Sequence, residues 1–135
     1  MSESQKHMDL VKLAYSWVQD SLPEKDRFFI EADTPETNQP NSVDGFIPDV
    51  YYEFDGQLYI GEAKTLNDFE RMHSKQQYEA YLNRCEKYRG KSCLVITVPW
   101  QLQNTAKNYF RYYKMKHNCH VTVIVLTDIG TESIV

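Results

Sequence analysis

The chain has few cysteines and no long apolar run, and each absence excludes a class of protein. Its three cysteines, Cys85, Cys93 and Cys119, are too scattered for a disulfide framework, and no pair has zinc-knuckle spacing. We expect them to be small core residues in a reducing compartment, the cytoplasm. No apolar stretch approaches the roughly 20 residues that a membrane span requires, so no membrane association is expected.

The sequence also lacks internal repeats, low-complexity tracts and, at its start, the apolar segment of a secretory signal. No export signal is therefore predicted. Hydrophobic residues make up 41% of the 135 residues and charged residues 25%, which is typical of a globular chain. We predict one domain over residues 1–135, long enough to bury a core.

Basic residues are scarce in the first half of the chain and abundant in the second. Residues 1–63 carry 13 acids and 4 bases, whereas residues 64–116 carry 11 bases and 4 acids. The net charge of −4 therefore hides a basic segment. Because local charge matters more than the total, this segment keeps a polyanionic ligand open.

Hydrophobic periodicity predicts alternating helices and strands. Apolar residues recur at helical spacing in three segments, 6–20, 74–88 and 101–116. Apolar or aromatic runs predict strands at 27–32, 92–98 and 120–126, with a loop over 34–45. Together with a hairpin at 46–64, the order is α-β-β-β-α-β-α-β. This order predicts an α/β fold whose mixed sheet has helices on both faces.

The hairpin is predicted by Asp55-Gly56 between two aromatic-rich runs, 46–54 and 57–64. Pairing that continues outward from this two-residue turn places Asp49 opposite Glu62. Two like charges in facing positions destabilise a sheet, because their Cβ atoms lie only about 5 Å apart. A divalent cation between them would turn this repulsion into a binding site.

Lys64 follows Glu62 by two residues, so strand alternation places both side chains on one face of the sheet. Asp49 shares that face. The hairpin therefore predicts two carboxylates and one ammonium group on a single patch. Neither face of the hairpin is fully polar, so the patch is expected at the end of a mostly buried surface, where pKa values are often shifted.

Pro48-Asp49 followed by Glu62-Ala63-Lys64, within an α-β-β-β-α-β order, resembles the PD-(D/E)XK nuclease superfamily. This superfamily includes the restriction endonucleases, the archaeal Holliday junction resolvases and the virus-type replication-repair nucleases. The resemblance extends from the first helix to about Val98 and implies a restriction-endonuclease-like core. It also implies a nuclease that hydrolyses DNA phosphodiester bonds with Mg²⁺ or Mn²⁺.

The resemblance assigns a role to each residue of the motif. Asp49, Glu62 and the backbone carbonyl of Ala63 would hold the metal ion, and Lys64 would orient the attacking water. Gln77 and Tyr81 are similar to a Gln-x-x-x-Tyr element whose helix face looks back at the metal site or the DNA backbone. Gln76 is an alternative to Gln77, which is preferred because it lies four residues before Tyr81.

A further acidic ligand is common among the resembling nucleases, but no motif identifies it here. The candidates are Glu3, Asp9, Asp20, Glu31, Asp33 and Asp44. One-metal and two-metal sites therefore both stay open, as do endonuclease and exonuclease activity.

Basic residues after the motif are the expected contacts with DNA phosphates. Those selected are Lys75, Arg84, Lys107 and Arg111, with Tyr81 beside them. Because no base-reading module is present, we expect structure-directed or non-specific cleavage. Cutting both strands would require a homodimer or a larger DNA-processing complex.

Two alternative interpretations compete with the nuclease. The first is a non-catalytic nucleic-acid-binding or scaffold subunit built on the same fold, which would bind DNA without a metal requirement. The second is an unrelated small α/β protein in which the hairpin carries an ordinary salt bridge. Asp49 and Glu62 on opposite faces of the sheet would favour the second.

Overall fold

Six strands form one mixed sheet in a computed structural model that describes residues 3–34 and 37–135. The strands are Glu31–Ala32 (β1), Val50–Phe54 (β2), Gln57–Ala63 (β3), Lys91–Val98 (β4), Thr122–Thr127 (β5) and Glu132–Ile134 (β6). They lie side by side in chain order. Strands β3, β4 and β5 are parallel, whereas the pairs β1–β2, β2–β3 and β5–β6 are antiparallel.

Helices cover both faces of this sheet, which confirms the predicted α/β class. Helix α1 (Glu3–Asp20) packs on one face and buries Val11 and Ala14 against strand residues. Helices α2 (Met72–Lys87) and α3 (Gln103–Lys116) pack on the other face, where Tyr81 and Phe110 join its core. Both parallel crossovers, β3–α2–β4 and β4–α3–β5, therefore return on the same side.

The register of the hairpin is the predicted one. Asp55 and Gly56 have φ values of 54° and 76°, and two positive values are what a two-residue type I′ turn requires. Phe54 faces Gln57, and the pairing continues without a bulge to Val50 and Gly61. Asp49 and Glu62 are the next residues outward on the two strands.

The predicted strand over 27–32 is wrong for most of its length. Residues Glu24–Phe29 form a 3₁₀-helix after Pro23, and only Glu31–Ala32 pair with β2. The aromatic residues that suggested a strand do not alternate between two faces. Phe28 is 89% exposed, and Phe29 stacks on Phe54 of the hairpin with ring centroids 4.4 Å apart.

The start of the hairpin and the last strand also differ from the prediction. The first hairpin strand begins at Val50 rather than at residue 46, and the preceding segment makes only an isolated bridge between Val43 and Phe46. Strand β6 was not predicted because it is three residues long and its Ile134 is 76% exposed. The predicted loop over 34–45 contains no named strand or helix in its described part, and its residues 35 and 36 lie outside the described residues.

Helix α1 lies very close to the sheet where β3 carries Gly61. A Cβ atom on Gly61 would lie 2.9 Å from Cβ of Val50 and 3.4 Å from Cβ of Ala14. One turn of α1 before Ala14, the carbonyl oxygen of Leu10 accepts a buried hydrogen bond from Oγ1 of Thr97 (2.9 Å). The missing side chain and this bond together fix the position of α1 over the ends of β3 and β4.

The three cysteines are free and buried, as expected for core residues. Burial raises the pKa of both Cys85 and Cys93 to about 12, so these thiols are unreactive at neutral pH. Within the described residues, no helix combines the length and apolar character needed to cross a bilayer.

Candidate functional site

The predicted site lies at the edge of the sheet where the three parallel strands end. Glu62 and Ala63 close β3, Lys64 follows them, and Asp49 directly precedes β2. The carboxyl ends of parallel strands are where α/β proteins usually bind ligands. The hairpin thus brings its charged residues to the edge of the sheet where a ligand is most often bound.

Asp49 and Glu62 meet on one face, and both are buried, with 6% and 3% of their surface exposed. Oδ2 of Asp49 accepts a hydrogen bond from the backbone N–H of Ala63 (2.9 Å). This bond extends the hairpin pairing by one step and holds the Asp49 carboxylate against Glu62. The two acids therefore do not lie on opposite faces of the sheet, the arrangement that would have favoured an unrelated small α/β protein.

Glu62 has too few partners for a buried charge. Its burial, together with the nearby Asp49 carboxylate, raises its pKa well above the ordinary range. Among the described residues, neither its Oε1 atom nor the hydroxyl of Tyr81 has a partner with hydrogen-bond geometry, although the two groups are close enough to shift each other's pKa. Buried polar atoms are nearly always paired, so an unpaired acceptor in such a cluster indicates a place for a ligand.

Lys64 is the cation of the cluster, and it is 8% exposed. Its Nζ atom lies 3.4 Å from Oε2 of Glu62 and donates a hydrogen bond to Oε1 of Gln77. Gln77 is buried on α2, whereas Gln76 is exposed. The structure therefore places the preferred glutamine beside the lysine, and the alternative one away from it.

Tyr81 does not occupy the surface position that a contact with nucleic acid would need. Its side chain is fully buried, one helical turn after Gln77. Burial and the neighbouring Glu62 both raise the pKa of its hydroxyl, which stays protonated. Tyr81 therefore forms the inner wall of the acidic cluster, and its contact with nucleic acid stays a prediction.

His7 is a site residue that the sequence did not reveal. Its Nε2 atom lies 3.4 Å from Oδ2 of Asp49, and its side chain is 35% exposed. The contact with Asp49 raises the pKa of His7. A histidine 42 positions before its partner belongs to no motif, and only the packing of α1 against the sheet brings the two together.

The candidates for a further acidic ligand separate into near and distant ones. The backbone N–H of Asp33 donates to the carbonyl oxygen of Asp49 (2.8 Å), and its carboxylate adds to the raised pKa of His7. Asp9 is exposed and accepts a hydrogen bond from Gln5 (2.9 Å). The other candidates lie at the end of α1, in β1 and in a positive-φ turn, namely Asp20, Glu31 and Asp44. The side chain of Glu3 lies outside the described part.

The donor set suits a hard divalent cation that keeps several waters. In residues 3–34 and 37–135, no three histidine, cysteine, aspartate or glutamate side chains are grouped as a ligand set. Asp49 and Glu62 supply two carboxylates, and Mg²⁺ is commonly held by one or two carboxylates with waters completing its octahedron. The unpaired oxygen of Glu62 fits such an ion, and Ala63, the next residue, is joined to Asp49 by its backbone N–H.

The basic residues do not form a single surface around this site. Helix α2 runs from the edge where β3 ends to the edge where β4 begins, so Lys75 lies near the site and Arg84 about 13 Å further along the helix. Arg84 pairs there with Glu53 (2.5 Å). Lys107 lies near the start of α3, and Arg111, a turn later, is exposed and donates to Asn108 (3.3 Å). The four residues are therefore spread over two helices, and their contacts with DNA phosphates stay predictions.

Comparison of the chain with family models, with curated proteins and with solved structures found no match.

Proposed function

We propose that this protein is a divalent-metal-dependent nuclease that hydrolyses DNA phosphodiester bonds, as its PD-(D/E)XK-like motif implies. The observation that carries the proposal is the burial of Asp49 against Glu62, with an acceptor oxygen left unpaired. The segment from α1 to β4 would be the restriction-endonuclease-like core. The sheet order and the crossover through α2 are compatible with that core.

The electrostatics of the cluster favour a cation. Two buried carboxylates in contact repel each other strongly at low effective dielectric, and Lys64 brings only one positive charge. The raised pKa of Glu62 reflects this shortage. A structural hairpin would gain stability by replacing one acid, whereas a hydrolytic site needs both oxygens for Mg²⁺ or Mn²⁺.

Each described residue has a distinct task in the proposed reaction. When bound, the metal ion neutralises charge on the phosphoryl oxygens and lowers the pKa of a coordinated water. Lys64 orients the attacking water and offsets charge on the scissile phosphate. Gln77 restricts the ammonium group of Lys64 to the site through its hydrogen bond. Tyr81 closes the inner wall and keeps bulk water from the pair of acids.

The substrate is proposed to be DNA that is cut by structure-directed or non-specific endonuclease activity. Lys75 in the first turns of α2 and Lys107 on α3 belong to helices that begin at the edge carrying the site, and they would supply sequence-independent phosphate contacts. A second copy of the chain, or a larger complex, would be needed to cut both strands.

The decisive test is a metal-dependence assay on linear duplex, single-stranded and branched DNA. The wild-type protein should cut at least one of these forms with Mg²⁺ or Mn²⁺ and none with EDTA. Lys64→Ala should abolish most of the activity, whereas Lys91→Ala, which removes an exposed lysine at the opposite edge, should not. No cleavage of any form, with salt-sensitive binding retained, would replace the nuclease with the non-catalytic binding subunit.

A further inference from the structure

A cavity of about 580 Å³ lies on the α1 side of the sheet, at the edge that also carries the proposed hydrolytic site. It lies at the carboxyl ends of all three parallel strands. Its walls come from the first half of α1, from Thr65 after β3, from Pro99 after β4 and from Asp128 after β5. Its volume is within the range of about 300–1,000 Å³ that is typical of small-ligand sites.

Two chain segments connect the cavity directly to the site. Thr65, which lines the cavity, follows Lys64 in the sequence. Lys6, on the opposite wall, precedes His7, whose imidazole contacts Asp49. The cavity and the acidic pair therefore lie at the same edge of the sheet, the cavity on its α1 side and the pair on its α2 side.

The charges that line the cavity disfavour a phosphate group. Lys6 is the only basic residue of its lining, whereas Asp9 and Asp128 bring two carboxylates. Each aspartate already accepts one hydrogen bond, from Gln5 and from the backbone N–H of Trp100. Since a carboxylate can accept about four such bonds, both acids keep the capacity to accept amino donors of a neutral ligand.

The remaining lining matches the faces and edge of a nucleobase. Leu10, Leu13 and Leu66 form apolar walls, against which a flat ring can pack. The amides of Asn67 and Gln101 present both donors and acceptors. Carboxylates and amides are the groups that pair with the edges of cytosine and adenine in protein–DNA complexes.

We propose that this cavity binds one unpaired nucleobase of the DNA strand whose backbone lies at Asp49 and Glu62. The inference rests on the proposed nuclease function, which gives DNA as the substrate. It narrows that substrate to DNA with unpaired nucleotides. A base inside a continuous duplex cannot reach the cavity, because it must first leave the stack. The preferred substrates are therefore DNA forms with unpaired nucleotides next to the scissile bond.

The first experiment measures binding without cleavage. A duplex with one unpaired 2-aminopurine is titrated onto the wild-type protein in Ca²⁺, and a fully paired duplex of the same length is the reference. We expect a change in 2-aminopurine emission and affinity about tenfold higher for the unpaired form, the effect of roughly one stacked base. Equal affinity for the two duplexes would overturn the inference.

Matched variants assign the binding to the cavity. Leu66→Trp fills its mouth from an exposed loop position and should remove most of the preference, whereas Met115→Trp, at an exposed site on α3, should not. Asn67→Ala should weaken binding more than Asn104→Ala, an exposed amide outside the lining. Cavity variants with the wild-type preference would overturn the assignment.

Base identity and cleavage separate this inference from the proposed function. Unpaired cytosine or adenine should bind more tightly than thymine, which has no exocyclic amino donor. Equal binding of thymine would refute the role of the two aspartates. A protein that shows the cavity-dependent preference but cuts no DNA would refute the nuclease alone, whereas cleavage that is indifferent to unpaired bases would refute the cavity alone.

Discussion

Two charged clusters connect the hairpin to α2. Each pairs a glutamate with a basic residue, but they differ in burial, in charge balance and in the pairing of their oxygens. At the carboxyl end of β3, Glu62 and Lys64 lie beside Gln77, nearly excluded from water. Nearer the Asp55-Gly56 turn, Glu53 pairs with Arg84 (2.5 Å), and both side chains are about one-third exposed. Tyr51 donates to the same Glu53 oxygen and completes the second cluster.

The contrast shows which cluster is structural. In the Glu53–Arg84 pair, charges balance and solvent supplies the remaining hydrogen bonds, so the pair contributes modestly to stability and requires nothing else. In the other cluster Asp49 adds a second acid, and Glu62 keeps an unpaired oxygen. Burying two carboxylates without enough positive charge lowers the stability of the fold. A bound cation would offset this loss.

The largest expected difference between the clusters is in DNA cleavage. Lys64→Ala or Glu62→Gln should lower kcat by about 10²–10³-fold, equivalent to about 2.7–4 kcal/mol of lost transition-state stabilisation. Arg84→Ala and Glu53→Gln should leave kcat within about twofold, since their pair is remote from the site. Single-turnover cleavage measures both. An equal loss of kcat for variants of the two clusters would show that the buried cluster has no special part in cleavage.

A smaller effect is expected at His7, which contacts Asp49 without belonging to the motif. His7→Ala frees one side of the Asp49 carboxylate and should raise the Mg²⁺ concentration for half-maximal activity by about 10–100-fold, as for other groups that orient metal ligands. His7→Asn tests whether a neutral donor at this position restores the metal requirement. An unchanged metal titration for His7→Ala would show that this contact has no part in orienting Asp49.

The third prediction concerns the stability of the metal-free protein. Because the folded state raises the pKa of Glu62 above its ordinary value of 4.5, folded protein holds a proton that the unfolded chain has lost. Stability is therefore fully present below about pH 4.5 and falls as the pH rises through the raised pKa. In EDTA, the Tm of the wild-type protein should decrease from about pH 5 to about pH 9.

Glu62→Gln removes this titration, so its Tm should fall less over the same range. The variant should be more stable than the wild type at the alkaline end, by about 1 kcal/mol, or about 3 °C in Tm for a domain of this size. Glu53→Gln, in the exposed cluster, is the control and should keep the wild-type slope. If the plots of Tm against pH were parallel for the wild type and Glu62→Gln, the buried Glu62 carboxyl would not hold a proton in the folded state.

The smallest expected effect is the coupling energy of the exposed pair. A double-mutant cycle with Glu53→Gln and Arg84→Ala should give about 0.2–1 kcal/mol, the usual range for solvated ion pairs. Urea unfolding of the four proteins at low and high salt measures it, and salt should reduce it. A coupling energy above about 2 kcal/mol would mean that this cluster is also more than a surface ion pair.

The hairpin and its acids were predictable because short-range rules determine them. Asp55-Gly56 specifies the turn, the turn fixes the register, and the register brings Asp49 to Glu62. The choice of Gln77 over Gln76 also followed from helical spacing. These inferences required only the two-residue period of a strand and the four-residue spacing of a helix, applied to residues close together in the sequence.

The parts that were not predictable depend on packing between distant segments. The contact of His7 with Asp49 depends on where α1 lies over the sheet, and no local pattern encodes that position. The 3₁₀-helix at Glu24–Phe29 takes the place of the predicted strand, with Phe29 packed on Phe54 of the hairpin and Phe28 exposed. Composition showed a basic segment, but only the helix direction revealed that Arg84 lies away from the site.

Gly61 has a consequence for engineering this protein. The absence of its side chain allows α1 to approach the sheet near Ala14, and the same helix carries His7 and one wall of the cavity. A bulkier residue at Gly61 would displace both together. If the proposed metal site and base-binding cavity are both correct, repacking α1 would change affinity for the metal ion and selection of the base together, and a designer would alter each from the loops after β3 and β4 instead.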